Sequence, residues 1–344
     1  MNRIASLDGL RALSVIAVVW HHTRPNGVTS GIGSRGYLGV DVFFVISGFL
    51  ITALLLREEQ ERGRANLRRF WARRALRLFP LWYAILATLT VVFLWVLPDA
   101  PMRGAFFEDL PWNATYTSNL IPGGTFLALS WSLATEEQFY LLWPPLLMRA
   151  RSAAPAALLV AAGLSVGVHV GLFDPWLESW IGPRWTHLAA LSTTLLPLAI
   201  GCGLALALHG RTERPTWARP FEHRVAAPLA LVAFLAAAAA PFHEGSMRLA
   251  AQLAAAGLVA ACALGDAKAG WLRTRPLRWI GERSYGVYLL HMIVVQGVFA
   301  LGLAPDGLRG LEVFALTLLA TLVAAAVSYR FLETPFLRLK DRVR

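Results

Sequence analysis

The chain has 344 residues, of which 56% are apolar and only 15% charged, against about 25% charged in a typical soluble domain. With a mean hydropathy of +0.53, these values exclude a disordered chain, a collagen-like repeat, a secreted disulfide scaffold and an ordinary soluble globule. A net charge of +11 points to nucleic acid in a soluble protein, but in a membrane protein the first question is on which side the positive charges sit.

A helix needs about 20 apolar residues to cross a bilayer, and reading for such runs gives ten. They cover roughly 7–22, 39–56, 78–97, 129–148, 155–173, 186–208, 225–241, 246–264, 284–303 and 311–331. The expected fold is all-α: a polytopic membrane helix bundle of about ten transmembrane helices, one domain over 1–344 with no soluble domain. The first run is broken by Asp8 and Arg11 and ends in His21 and His22, with no small-residue cleavage site. It reads as a retained helix, not a removed signal peptide. An even span number puts both termini on one side. If that side is cytoplasmic, 26 of the 32 Lys and Arg fall in the inner segments, a skew the acidic residues do not share. The positive-inside rule then accounts for the high charge, with the lipid bilayer as partner and no nucleic acid.

No repeat of 20–50 residues is present. The longest outer loop, 98–128, carries Pro, Gly and Asn and is expected to be irregular or partly re-entrant. Gly163, Gly167 and Gly171 form a row on the fifth run that suggests close helix packing. Cys202 and Cys262 lie in apolar runs and read as small apolar residues. Neither HExxH nor a P-loop occurs, and no metal is expected.

Ionisable residues inside spans are costly and mark functional positions. Arg11 and His22 differ by about 20° around an α-helix and stand roughly 16 Å apart along it. An anion held by Arg11 would present its far end near His22; the bland alternative is a snorkelling Arg11 and an interfacial His22. His21 points about 100° away. Asp41 begins the second run where the first one ends. It would either orient the His22 imidazole or simply cap its helix. Arg69, Arg73 and Arg77 recur every four residues, so they form a stripe on any helix there, with Arg68, Arg74, Phe70 and Trp71 interleaved. Guanidinium groups in that pattern suit phosphates, or serve as a topology anchor beside anionic lipid. Glu136 and Glu137 are adjacent and cannot both face one cavity. Ser284, Tyr288 and His291 are further candidate cavity residues, whereas His169 and His187 read as structural.

The segments around these residues resemble the acyltransferase-3 family of integral membrane O-acyltransferases, nearly end to end. Arg11 to His22 matches its Arg/Lys-x10-His element, and 39–49 its GVDxFFVISGF element. Residues 68–83 match its Arg-rich loop with Pro-aromatic pattern, and 130–144 its SWSLxxEExFYLLWP element. Residues 285–291 and 328–335 match its YxxYLLH-like and SYxxxExP elements. The resemblance implies an acyl-CoA donor, expected to be acetyl-CoA. It implies as acceptor a hydroxyl on a carbohydrate, glycolipid or glycosylated natural product, at a bacterial inner membrane. Because the chain stops at Arg344, it is expected to be of the stand-alone type without a fused esterase-like domain.

On that reading Arg11, Arg69, Arg73 and Arg77 bind the donor phosphates and His22 is the general base. Asp41 holds its tautomer, and Glu136 orients the acceptor or the histidine. Trp131, Ser132, Tyr288 and His291 line the acceptor site. An acyl-histidine intermediate is an open variant. The rival from another class is a transporter of a polar solute. A rival enzyme reading is the other main type of membrane O-acyltransferase, with His291 as its lone catalytic histidine.

Overall fold

The computed structural model describes residues 4–24, 32–120, 127, 129–173, 179, 186–210, 215–241, 244–303, 305 and 309–342, with the backbone alone for 186–194, 244 and 341. His187 thus lies outside the described side chains. Among the described residues there is no β-strand. In order, the helices are α1 (Ala5–Thr23), α2 (Leu38–Arg62), α3 (Leu67–Val91), α4 (Arg103–Ala114), α5 (Ser130–Arg149), α6 (Ala154–His169) and α7 (Thr186–Leu208). They continue with α8 (Ala226–Ala239), α9 (Glu244–Leu264), α10 (Arg275–Glu282), α11 (Ser284–Ala300), α12 (Arg309–Ser328) and α13 (Thr334–Arg342). Each of the ten predicted runs is helical, as expected for apolar segments whose backbone must satisfy its own hydrogen bonds.

Among the described residues, four helical segments are long and apolar enough to cross a bilayer: Leu38–Arg62, Leu67–Val96, Gly245–Leu264 and Arg309–Lys340. The bent pair Thr216–Glu222 and Ala226–Ala239 makes a fifth if counted as one span. The protein is an integral membrane protein on this evidence, but length and composition do not by themselves yield ten crossings. Helices α6 and α11 are apolar but short. Helix α1 carries Asp8, Arg11 and two histidines, and α5 carries Glu136, Glu137 and Arg149.

Helix α2 is the centre of the bundle: 78% of its most apolar window is buried, against 28% for Arg309–Lys340. It crosses α7 at near backbone contact. A Cβ on Gly48 would stand 2.1 Å from the Leu198 carbonyl oxygen, and one on Gly201 would stand 2.2 Å from that of Val45. Small residues permit this approach where lipid supplies no hydrophobic drive between helices. The α2–α3 turn follows from two local signals. Gly63 ends α2 in the left-handed region, with φ of 72°, and the Asn66 side chain caps α3 by accepting from the Arg69 N–H at 3.0 Å.

Two expectations are corrected. The row Gly163, Gly167 and Gly171 does not seat a neighbouring helix. Gly163 faces open space, Gly167 lies under the ring of Phe173, and Gly171 follows the end of α6 with φ of 71°. The segment 98–128 is helical over Arg103–Ala114, although 121–126 and 128 lie outside the described residues. After α4 it tucks against the bundle. Trp82 Nε1 donates to the Asn113 oxygen at 3.1 Å and Tyr83 to that of Ala114 at 2.8 Å. Gln138 Nε2 donates to the Tyr116 oxygen at 2.9 Å. These side chains satisfy backbone carbonyls that the turn leaves open.

Candidate active site

Helices α1, α2, α3, α5 and α11 surround a narrow cavity of about 80 Å³, lined by Arg11, Ser47, Arg74, Arg77, Ser132, Glu136, Tyr140, Ser284 and Tyr288 among others. Two wider clefts, of about 420 and 390 Å³, share Arg11 and Arg77 with it. The i, i+3 spacing of Arg74 and Arg77 puts both on the inner face of α3, opposite Arg11 on α1. Arg11 and Arg77 make no hydrogen bond or ion pair among the described residues, and the Nε atoms of Arg11 and Arg74 are buried without a partner. Such groups are expensive to leave unpaired. The larger cleft has seven cations on its wall, Arg11, Arg57, Arg62, Arg73, Arg74, Arg77 and Lys340, against Glu58 and Glu61.

The predicted stripe is therefore divided. Arg77 enters the cavity. Arg73 reaches only the larger cleft and donates to Glu58 at 3.3 Å. Arg69 is exposed and lines none of these spaces. Arg74 takes the place expected of Arg69. Spacing alone carried no sign of this: three- and four-residue steps from Arg77 rotate by about 60° and 40° to opposite sides, and where α1 and α5 pack decides which side turns inward.

Glu136 faces this cavity and Glu137 does not. The Glu136 carboxylate accepts hydrogen bonds from Ser47 and Tyr140 and stands 3.9 Å from Arg74, whose guanidinium lies 3.6 Å over the Tyr140 ring. It anchors Arg74; among the described residues no histidine is one of its hydrogen-bond or ion-pair partners. Glu137 lines a separate, largely apolar recess with Trp71, Phe79, Tyr116 and Leu141.

Beyond Glu136 the polar lining continues through Ser132, whose hydroxyl is 2.5 Å from that of Tyr288. One turn further along α11 is His291, fully buried. Its Nε2 stands 3.3 Å from His22 Nδ1, with the two rings 5.0 Å apart. His22 is half-buried, and its Nε2 makes no hydrogen bond among the described residues. Neither Trp131 nor His291 lines the cavity itself; Trp131 packs edge-on against Phe44 at 6.3 Å. His21 turns to the other side, towards the Ser34 oxygen and the Tyr37 ring.

Asp41 is not the partner of His22. It is fully buried and holds Arg248 through two bonds, of 3.0 and 3.1 Å, and Gln252 through one of 3.2 Å. All three are polar groups that apolar helices must pair off, so Asp41 ties α2 to α9. Sequence spacing carried no sign of this, because Arg248 lies 207 residues away.

The structure is thus a bundle of apolar helices with an arginine-walled cavity and, one helical turn beyond its Tyr288 lining, a pair of histidines. The profile of the family described as "Acyltransferase domain" matches residues 4–330, and the chain belongs to this acyltransferase-3 family. It is 32% identical to the putative peptidoglycan O-acetyltransferase YrhL of Bacillus subtilis, over 96% of this chain and 54% of that protein. It is 30% identical to the peptidoglycan O-acetyltransferase OatA of Listeria monocytogenes, over 96% and 55%. A putative O-acetyltransferase of Staphylococcus aureus, SACOL0978, is 29% identical over 98% and 58%. The chain thus spans about half the length of these curated relatives. No solved structure matches it.

Proposed function

We propose that this chain is a membrane O-acyltransferase that moves an acetyl group from acyl-CoA to a hydroxyl of a carbohydrate. The observation that carries the reading is an arginine-walled cavity, with the Nε atoms of Arg11 and Arg74 buried without a partner, whose Tyr288 lining lies one helical turn from the His291–His22 pair. The names of the relatives support acetyl as the group and a peptidoglycan-like glycan as the acceptor. Both termini are cytoplasmic in this proposal, so the Arg11 end of α1 opens to the compartment that holds acyl-CoA. Ten crossings follow from the charge skew, and reporter fusions test them: Gly63 should report inside and Arg24 outside. A signal from Gly63 on the outer side overturns this orientation.

Arg11, Arg74 and Arg77 bind the donor phosphates by charge-assisted hydrogen bonds, and the pantetheine arm runs along the Ser47–Ser132–Tyr288 wall. His22 Nε2 then takes the proton of the acceptor hydroxyl as its oxygen attacks the thioester carbonyl. The C–S bond breaks, and the imidazolium returns the proton to the departing thiolate, so the products are an ester and free CoA. Glu136 holds Arg74 and Tyr140 in place.

The test is incubation of purified protein with labelled acetyl-CoA and a panel of peptidoglycan fragments, other glycans and glycosides, with mass spectrometry of the products. Acetylated glycan formed by the native protein and lost in His22→Ala supports the reading. Solute movement across vesicles without acetyl-CoA turnover supports the transporter instead.

A further inference from the structure

The two histidines are fixed in one hydrogen-bonding order by groups that can only accept. His291 Nδ1 faces the Tyr288 carbonyl oxygen at 2.5 Å. A carbonyl cannot donate, so Nδ1 carries the proton, and the Nε2 of a neutral His291 is a lone pair. His22 Nδ1 lies 3.0 Å from the Val18 carbonyl oxygen and 3.3 Å from that lone pair. With two acceptors before it, His22 Nδ1 must also carry its proton. The remaining nitrogen, His22 Nε2, is then the basic one. Among the described residues no carboxylate contacts either histidine, and Asp41 is held by Arg248 and Gln252.

We propose that His291 is a positioning residue of the site: together with the Val18 carbonyl it holds the tautomer and ring orientation of His22 by accepting from its Nδ1–H. Which ring nitrogen of a histidine is basic is decided by the bond that the other one makes. This role is usually given to a carboxylate; here a buried neutral imidazole fills it. The inference rests on the reading of His22 as general base. When Nε2 takes the hydroxyl proton, the imidazolium keeps its Nδ1–H directed at His291, which stays neutral throughout. No second proton moves, and His291 touches neither substrate in this scheme.

The test compares His291→Leu, which cannot accept, with His291→Gln, whose amide oxygen can. His291→Leu should lower kcat by ~10–100-fold, the loss of one hydrogen bond to a charged group, with the KM for acetyl-CoA unchanged. His291→Gln should restore kcat to within a few-fold of native. Equal loss in both variants, or no loss in His291→Leu, overturns the proposal.

Nitrogen-15 NMR of histidine-labelled native protein tests the tautomer whether or not the variants fold. The signals of His22, assigned by their absence in His22→Ala, should show a protonated Nδ1 and a bare Nε2. The opposite tautomer overturns the proposal. Native-like turnover by His22→Ala removes the proposed base itself, while the NMR result still decides the tautomer, so the two failures are distinguishable.

Discussion

On the cavity wall arginines outnumber carboxylates: Arg11 and Arg77 make no hydrogen bond or ion pair among the described residues, and Glu136 is the one carboxylate lining it. At the histidine end the arrangement is reversed. No carboxylate contacts His22 or His291 among the described residues, and each Nδ1 meets a backbone oxygen. Charge in the middle of a membrane protein is costly, so an unpaired excess persists where a ligand of opposite sign completes it. A neutral, matched pair suits a group that must gain and lose a proton in each cycle. In the proposed scheme the two ends, roughly 16 Å apart along α1, separate holding the donor from activating the acceptor.

The sharpest way to break this division is His22→Ala. It should lower turnover by about 10²–10⁴-fold, the usual worth of a general base, while binding of CoA to the purified protein stays unchanged. Weakened CoA binding would mean that the two ends are not separate.

Asp41→Asn probes stability instead. It removes the charge facing Arg248, and breaking a buried ion pair costs up to about 3–5 kcal/mol, less here because the Arg248 side chain is 18% exposed. A lowered unfolding temperature, with turnover per folded molecule kept, is expected. A fall in turnover at unchanged stability would return Asp41 to the active site.

Replacing Arg11 and Arg77 together by Gln should raise the acetyl-CoA KM at least tenfold, since each hydrogen bond to a charged group contributes about 1.5–3 kcal/mol. The KM for the acceptor should stay near native. The smallest effect is expected for Arg69→Gln, an exposed residue whose loss should change the acetyl-CoA KM by less than about twofold, in keeping with surface substitutions generally. A large effect there would extend the donor site beyond the clefts around Arg11 and Arg77.

Much of the helical framework was legible in the chain, because lipid leaves an apolar run one way to satisfy its backbone; all ten runs are helical. The face shared by Arg11 and His22, and the divergence of His21, were legible too, since they depend only on the 100° step within one helix. The same local rule singled out the cations of α3 but not which of them turn inward, because that depends on where α1 and α5 pack. Contacts between distant segments were not legible at all. Asp41 lies close in sequence to His22 yet is claimed by Arg248, and His22 is met instead by His291, 269 residues away. Side chains on different helices choose partners by distance and geometry once the helices are assembled, and no spacing in the sequence encodes that choice. The residues able to do the chemistry were therefore a property of the sequence. The pairing of His22 with His291 belongs to the tertiary structure alone.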